Sequence, residues 1–191
     1  MTRQRIVAAA RRLFRSIGYL ATSLDAIADA AGVSPKTVEA AFGSKRGLIL
    51  SLVDPHTAEK LNQAVLQTIQ NEPDPARRLR ATAELTRRAY EASSAEFDLM
   101  TGARLMVPEL AAAAEQIDER RRNRQTRLIT YLVTARALRK GLRKEDAADE
   151  LWALTGYEMY RTLVIERGWS SAHFEKWLGD VLIHRLLEPR R

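Results

Sequence analysis

The sequence predicts an all-α protein, with an N-terminal three-helix helix-turn-helix domain followed by a C-terminal helical bundle. Apolar residues recur at three- and four-residue spacing along nearly all of the 191 residues. β-branched residues do not gather into alternating runs, so we expect no strands. Glycines and serines of the kind that end and begin helices separate the segments. These signals indicate about nine helices, and we divide the chain into domains at 1–48 and 49–191.

The first helix is predicted over residues 3–17. Its apolar side chains, among them Ile6, Phe14 and Ile17, lie on one stripe, as they do in a helix that packs against a core. Gly18 follows directly and is expected to end the helix, because glycine adopts the left-handed conformation that helix ends favour.

Two short helices are predicted next, over 24–31 and 35–42. Thr22 or Ser23 is expected to cap the first, and Ser34 to cap the second, because their hydroxyls accept hydrogen bonds from otherwise unpaired amides of the first turn. Helices this close in sequence must cross at a steep angle.

That crossing needs a small residue where the helices touch and a flexible residue in the turn. Ala28 and Gly32 meet these needs. Apolar residues at the remaining inward positions then complete the shared core: Ile27, Ala31, Val33, Val38 and Ala41. The segment therefore fits a helix-turn-helix motif.

The rest of the chain is predicted to form the larger bundle. A fourth helix begins near Lys45 and runs to about residue 70, with a kink at Pro55, and 72–75 form a linker. Further helices are expected over 76–92, 95–106, 108–139, 145–166 and 171–187.

The positive charge is concentrated at the N-terminal end. The net charge is +7, and residues 1–53 carry +5 of it. A basic head on a nearly neutral body favours a polyanionic partner, although a surface bias that improves solubility is the simpler alternative.

The composition argues against several other classes of protein. Cysteine is absent, which removes disulfides, thiolate metal sites and cysteine nucleophiles. His56, His173 and His184 lie in separate segments without metal-binding spacing, and there is no phosphate-binding glycine loop. We therefore expect no enzyme, cofactor or metal site. No apolar run approaches the ~20 residues of a membrane helix, and no secretory signal is present, so we expect a cytoplasmic protein without membrane partners.

Several motifs within residues 6–52 occur together. They are Ala9-x-x-x-Leu13-Phe14, Gly18-Tyr19, Thr22-x-x-x-x-Ile27-Ala28-x-x-Ala31-Gly32-Val33-Ser34 and Phe42-x-x-Lys45-x-x-Leu48. In these motifs the chain resembles the TetR/AcrR family of bacterial regulators. The resemblance implies a homodimer that binds double-stranded DNA through the helix-turn-helix. It also implies a body that binds a small-molecule effector, and most often repression that the effector releases.

Seven residues are the candidates for DNA contact. Lys36, Thr37 and Glu39 are expected to read base edges, with Glu39 accepting a hydrogen bond from cytosine. The remaining candidates are expected to position the domain on phosphates: Thr22, Ser23, Ser34 and Lys45. Arg3 and Arg5 form either an arm on the DNA or a solvated terminus.

The third helix departs from the family pattern. Family members usually carry aromatic residues that contact phosphates at the positions of Glu39 and Ala41. An alternative function therefore stays open, in which the chain is a ligand or protein sensor that has kept the fold while its DNA binding weakened or disappeared.

The body holds the candidates for effector and dimer contacts. Those for the effector are Phe97, Met100, Arg104, Tyr131 and Trp152. Those for the dimer interface are Gly156, Phe174, Trp177, Leu178, Val181 and Leu182, which are first of all expected to be core. The run Arg120-Arg121-Arg122-Asn123-Arg124 is interpreted as a solvated helix face paired with Asp118 and Glu119.

Overall fold

A computed structural model describes residues 2–52, 62–103 and 108–189. In these ranges the regular structure is helical, as predicted, and consists of ten α-helices and one π-helix. The α-helices are α1 (Thr2–Ala21), α2 (Leu24–Ala31), α3 (Pro35–Phe42), α4 (Lys45–Leu52), α5 (Gln63–Asn71), α6 (Pro75–Ala103), α7 (Pro108–Thr134), α8 (Lys144–Leu154), α9 (Tyr157–Tyr160) and α10 (Ser171–Leu186), and the π-helix is Arg161–Glu166.

The chain forms two compact units. Unit 1 comprises Met1–Pro55 and Ser93–Ile117, and unit 2 comprises His56–Ala92 and Asp118–Arg191. Unit 1 packs α1 to α4 around one apolar core, and Leu110 of α7 joins it. Its fully buried side chains include Ile6, Ile27, Leu48 and Ile49.

The N-terminal helices match the sequence prediction closely. The bounds of α2 and α3 are those predicted, whereas α1 continues past its expected end to Ala21. Gly18 still interrupts α1, because its φ of 82° and ψ of 163° are not helical. The predicted continuation of α4 through Pro55 lies outside the described residues.

The long helices of the body differ from prediction at their ends. The two helices expected on either side of residue 93 are one element, α6, with a local break at Ser93 (φ −136°, ψ 23°). α7 ends at Thr134 rather than near 139, and Arg136 adopts a left-handed φ of 53° just beyond it. The helix expected over 145–166 is divided at Gly156, which caps α9.

Unit 2 is closed at its C-terminal end by backbone contacts. Leu138 and Leu187 form an isolated antiparallel bridge, and the amide of Arg139 donates to the carbonyl of Leu186 at 2.8 Å. α10 contributes four fully buried side chains to the core of this unit: Phe174, Leu178, Leu182 and Leu186.

Candidate nucleic-acid interface

Both helices of the motif begin with a serine cap. The Ser23 hydroxyl accepts from the Ala26 amide at 3.0 Å, and the Ser34 hydroxyl accepts from the Thr37 amide at 3.2 Å. Each such cap stabilises its helix by about 1 kcal/mol. Of the two residues expected to cap α2, the structure selects Ser23.

The turn between α2 and α3 depends on Gly32. This residue has a φ of 63° and a ψ of 44°, and the Val33 amide after it donates to the Ala28 carbonyl at 3.0 Å. The side chain of Arg5 donates to the Gly32 carbonyl at 3.3 Å. A Cβ at Gly32 would lie 2.6 Å from Nη2 of Arg5, the flexible end of that side chain, so the preference for glycine comes from the left-handed backbone conformation.

α3 presents a small polar face to solvent. Lys36 and Glu39 are exposed on it, and neither side chain has a hydrogen-bond or ion-pair partner within the described ranges. Thr37 is half-buried and shares a 2.9 Å hydrogen bond with the Ser34 hydroxyl. Val38 points inward and is 1% exposed. This geometry leaves the charged ends of Lys36 and Glu39 exposed to solvent, and their contact with bases stays a prediction.

Ser23 and Thr22, at the N-terminal end of α2, differ in exposure. Ser23 is exposed, and its hydroxyl keeps a proton to donate while its oxygen caps the helix. Thr22 is 1% exposed, and its hydroxyl donates to the Gly18 carbonyl at 2.8 Å. Thr22 therefore holds the end of α1 and does not present a donor to a phosphate, in contrast to expectation.

Lys45 is bound within the domain. Its ammonium donates to the carbonyls of Tyr19, Leu20 and Thr22 at 3.0, 3.4 and 2.8 Å, and it lies 4.5 Å from the centre of the Tyr19 ring. An ammonium has three protons to donate. These carbonyls use its capacity, so the expected phosphate contact would require Lys45 to leave them.

The two arginines at the start of α1 also bind the domain. Arg3 donates to the Ala41 carbonyl at 2.8 Å, with its guanidinium carbon 4.2 Å from the centre of the Phe42 ring. Arg5 holds the turn at Gly32. In this structure they connect α1 to the turn and to the end of α3, which is neither of the two roles considered from sequence.

The effector candidates fall in both units. Phe97 is half-buried in unit 1, and Met100 lies on the same helix, with nothing described of its side chain. Arg104 lies outside the described residues. In unit 2, the Tyr131 hydroxyl donates to the Pro73 carbonyl at 2.5 Å, so this side chain fastens the linker before α6.

Trp152 of unit 2 lies against a guanidinium. The Arg121 guanidinium carbon is 3.8 Å from the centre of the Trp152 ring, and the Arg122 carbon is 5.3 Å from it. Arg122 is exposed, but Arg121 is half-buried, so the interpretation of the arginine run as a solvated face is wrong for Arg121. Gln125, Leu128 and Leu132 form a buried face of α7, and Arg121 lies one turn before Gln125 on the same face. This helical spacing is the signal in the sequence that identifies Arg121 as partly buried.

Most candidates for the dimer interface are buried by their own chain. Phe174, Leu178 and Leu182 are 0% exposed, because α10 packs this stripe into unit 2. Gly156 is buried at the start of α9. Trp177 and Val181 are half-buried and retain surface that a partner can cover.

The described residues lack two kinds of feature. Among helices within the described ranges, none is long and apolar enough to cross a membrane. Over the same ranges, no group of three or more histidine or acidic side chains is placed to hold a metal ion.

The fold and the interface define a class of protein. A basic three-helix unit with a capped helix-turn-helix and a solvent-facing second helix is the arrangement that places a helix in the DNA major groove. Residues 6–52 match the family model described as bacterial regulatory proteins of the tetR family. Over these residues the chain is similar to that family.

A curated protein is similar to part of the chain. Over 82 residues the chain is 37% identical to the HTH-type transcriptional activator FasR of Mycolicibacterium smegmatis. That match covers 43% of this chain and 37% of FasR, so the chain spans little more than a third of this curated relative.

Solved structures share the fold along nearly the whole chain. PfmR, a TetR family transcriptional regulator from Thermus thermophilus, has a TM-score of 0.77 and 21% identity, over 95% of this chain and 98% of its own. The transcriptional regulator FadR from Bacillus subtilis, in complex with stearoyl-CoA, has a TM-score of 0.74 and 17% identity, over 94% and 97%.

Proposed function

We propose that this protein is a sequence-specific, DNA-binding transcriptional regulator that acts without catalysis. The observation that carries the proposal is the exposed face of α3, with Lys36 and Glu39 free on a rigid, capped helix-turn-helix. The domain of residues 1–48 would bind DNA, and residues 49–191 would bind an effector and form the dimer. Such a function belongs in the bacterial cytoplasm.

Dimerisation follows from the geometry of DNA reading. Two copies of α3 about one DNA turn (~34 Å) apart would read a near-palindromic site. The proposed contact surface is the half-buried face of α10 at Trp177 and Val181, joined by Ile165, which is 52% exposed. Exposed apolar surface of this kind is typical of protein contacts.

The effector is a small molecule bound in the body. FadR of Bacillus subtilis was solved with stearoyl-CoA, which supports a ligand-responsive body on this fold. We propose repression that the effector releases. FasR is named as an activator, so the sign of regulation needs its own measurement.

The test is retention of genomic DNA fragments by the purified full chain at two salt concentrations, with sequencing of the retained DNA. The expected result is a near-palindromic site whose affinity falls in Lys36→Ala. Lys144→Ala removes an equal charge from an exposed position in unit 2 and should leave binding unchanged. A reporter gene behind the recovered site then gives the sign of regulation.

The alternative function is a ligand or protein sensor without specific DNA binding. It is favoured by α3 itself, where Glu39 carries a negative charge on the exposed face and Ala41 offers no polar group. Weak binding to all fragments alike, with no recovered site, would support this alternative and contradict the regulator.

A further inference from the structure

Arg121 has a buried N–H group without an acceptor among the described residues. One terminal nitrogen, Nη2, donates to the Trp152 carbonyl and, at 3.3 Å, to the Thr155 hydroxyl. Its Nε atom is buried and has no hydrogen-bond partner in the part of the chain that is described. Since buried donors in folded proteins almost always find an acceptor, this one marks a place for a missing group.

Arg121 also lacks a carboxylate partner at ion-pair distance in the described ranges. Two other arginines of unit 2 form ion pairs with carboxylates: Arg87 with Glu175, and Arg185 with Glu150. Within the described ranges no carboxylate forms an ion pair with Arg121, and burial lowers its pKa. A guanidinium removed from water without a counter-charge is costly, so an anion that binds here gains more than it would at the surface.

A hydrogen-bond network fixes the residues around the guanidinium. The Thr155 hydroxyl accepts from Gln125 Nε2 at 2.7 Å and donates to the Leu151 carbonyl at 2.6 Å. The Tyr90 hydroxyl donates to the Thr155 carbonyl at 2.9 Å. These groups satisfy one another and hold Arg121 in place without neutralising it, which is the preorganised arrangement that favours ligand binding.

We propose that Arg121 binds the carboxylate of a small organic acid, whose apolar part lies along Trp152. This inference rests on the proposed effector function and names the chemical class of the effector. A single carboxylate matches the single positive charge of Arg121, which has no ion-pair partner in the described ranges. Asp118 and Glu158 act on Arg121 at longer range and would repel a second negative charge, as on a phosphate monoester.

The test uses the full chain with Trp169→Phe and Trp177→Phe, so that Trp152 is its only tryptophan. Trp152 fluorescence is titrated with octanoate and phenylacetate, and with octanamide, phenylacetamide and phenyl phosphate as matched probes. The acids should give a saturable change, and the amides should not. Arg121→Gln should weaken acid binding by roughly ten- to a hundredfold, because a charge-assisted hydrogen bond is lost.

Two further variants separate binding from folding. Arg122→Gln removes the exposed neighbouring charge and should keep acid affinity within about twofold, the scale of a surface pair. Arg121→Lys keeps the charge without the planar fork, and it should bind the acids weakly while its circular dichroism and melting match the parent.

Several results would overturn the proposal. The first two are equal binding of acid and amide, and a preference for phenyl phosphate. The third is unchanged acid affinity in folded Arg121→Gln or Arg121→Lys. The fourth is the lack of a saturable response to either acid up to about 10 mM, a concentration at which one charge-assisted contact is still detectable. DNA binding is measured separately on the chain with all three tryptophans, because Trp177 lies on the proposed dimer surface. DNA binding without acid binding would contradict only the proposed acid site at Arg121. Acid binding without DNA binding would contradict only the proposed DNA-binding function.

Discussion

The ammonium of Lys45, at the start of α4, donates a 2.8 Å hydrogen bond to the carbonyl oxygen of Thr22, between α1 and α2. It bonds to the Tyr19 and Leu20 carbonyls as well. Carbonyls at a helix C-terminus lack partners within the helix and carry partial negative charge. Lys45 therefore stabilises the end of α1 and positions the neighbouring Ser23, the cap of α2.

Lys45→Ala should lower the free energy of unfolding by about 1–3 kcal/mol, because the carbonyls lose a charged donor. Its DNA affinity should fall with little change in salt dependence. Lys36→Ala should leave stability unchanged and should lower both DNA affinity and the base preference at its position, because Lys36 is expected to read a base edge. Urea unfolding and binding at several salt concentrations measure both. A reduced slope with unchanged stability in Lys45→Ala would instead indicate a direct phosphate contact by Lys45.

Gly47→Ala should destabilise the junction of α3 and α4. A Cβ at Gly47 would lie 2.0 Å from the Phe42 carbonyl oxygen, so the backbone must move. Gly179→Ala is the matched control, because its Cβ would meet Arg80 at an ordinary 3.5 Å and alanine favours helix by about 1 kcal/mol. Thermal melting should show a loss for Gly47→Ala and none for Gly179→Ala, and equal melting temperatures would refute the argument.

Glu39→Gln should change which base is preferred. A carboxylate on the exposed face of α3 can accept from cytosine N4, whereas an amide pairs best with adenine. Removing a negative charge should also raise overall affinity for DNA. Selection from randomised duplexes measures the preference. If affinity rises and the preferred sequence stays the same, Glu39 repels phosphates and does not read a base.

Ionisation of the Tyr90 phenol should lower the free energy of unfolding at high pH. Burial raises its pKa from 10.0 to about 12, so the folded state holds the phenol proton more tightly than the unfolded state. The stability this contributes is complete below pH 10 and is lost as the pH rises towards 12. The total is about 2–3 kcal/mol.

Tyr90→Phe should lower the free energy of unfolding by about 1 kcal/mol at pH 7, because the hydrogen bond to the Thr155 carbonyl is lost. It should also reduce the dependence of the free energy of unfolding on pH between pH 10 and 12. An unchanged slope would exclude Tyr90 as its source.

Two substitutions on α10 should separate core from interface. Leu178 is fully buried, so Leu178→Ala should lower stability by about 2–5 kcal/mol. Val181→Lys places a charge on the half-buried face and should shift the dimer towards monomer while each subunit stays folded. Sedimentation velocity and circular dichroism read the two effects. If the Val181→Lys protein remains dimeric, the dimer interface lies on a different surface.

The local features of the helix-turn-helix were predictable because they depend on neighbours in sequence. Ser34 caps α3 through an amide three residues away, and Gly32 supplies the left-handed turn by its lack of a side chain. The bounds of α2 and α3 follow from these signals. The break at Gly18 was also readable, although the extra turn of α1 beyond it was not, since the bond from Thr22 to Gly18 forms only in the folded loop.

The sequence by itself determined the helical fold, the helix-turn-helix and the basic N-terminal end. Periodicity, capping residues and charge are properties of short segments. Only the tertiary structure decided what each long cationic side chain does: Lys36 faces solvent, Lys45 binds carbonyls more than twenty residues away, and Arg121 lies against Trp152. The physical reason is that the surroundings of a flexible side chain are set by whichever element covers it, and that element comes from a distant part of the chain.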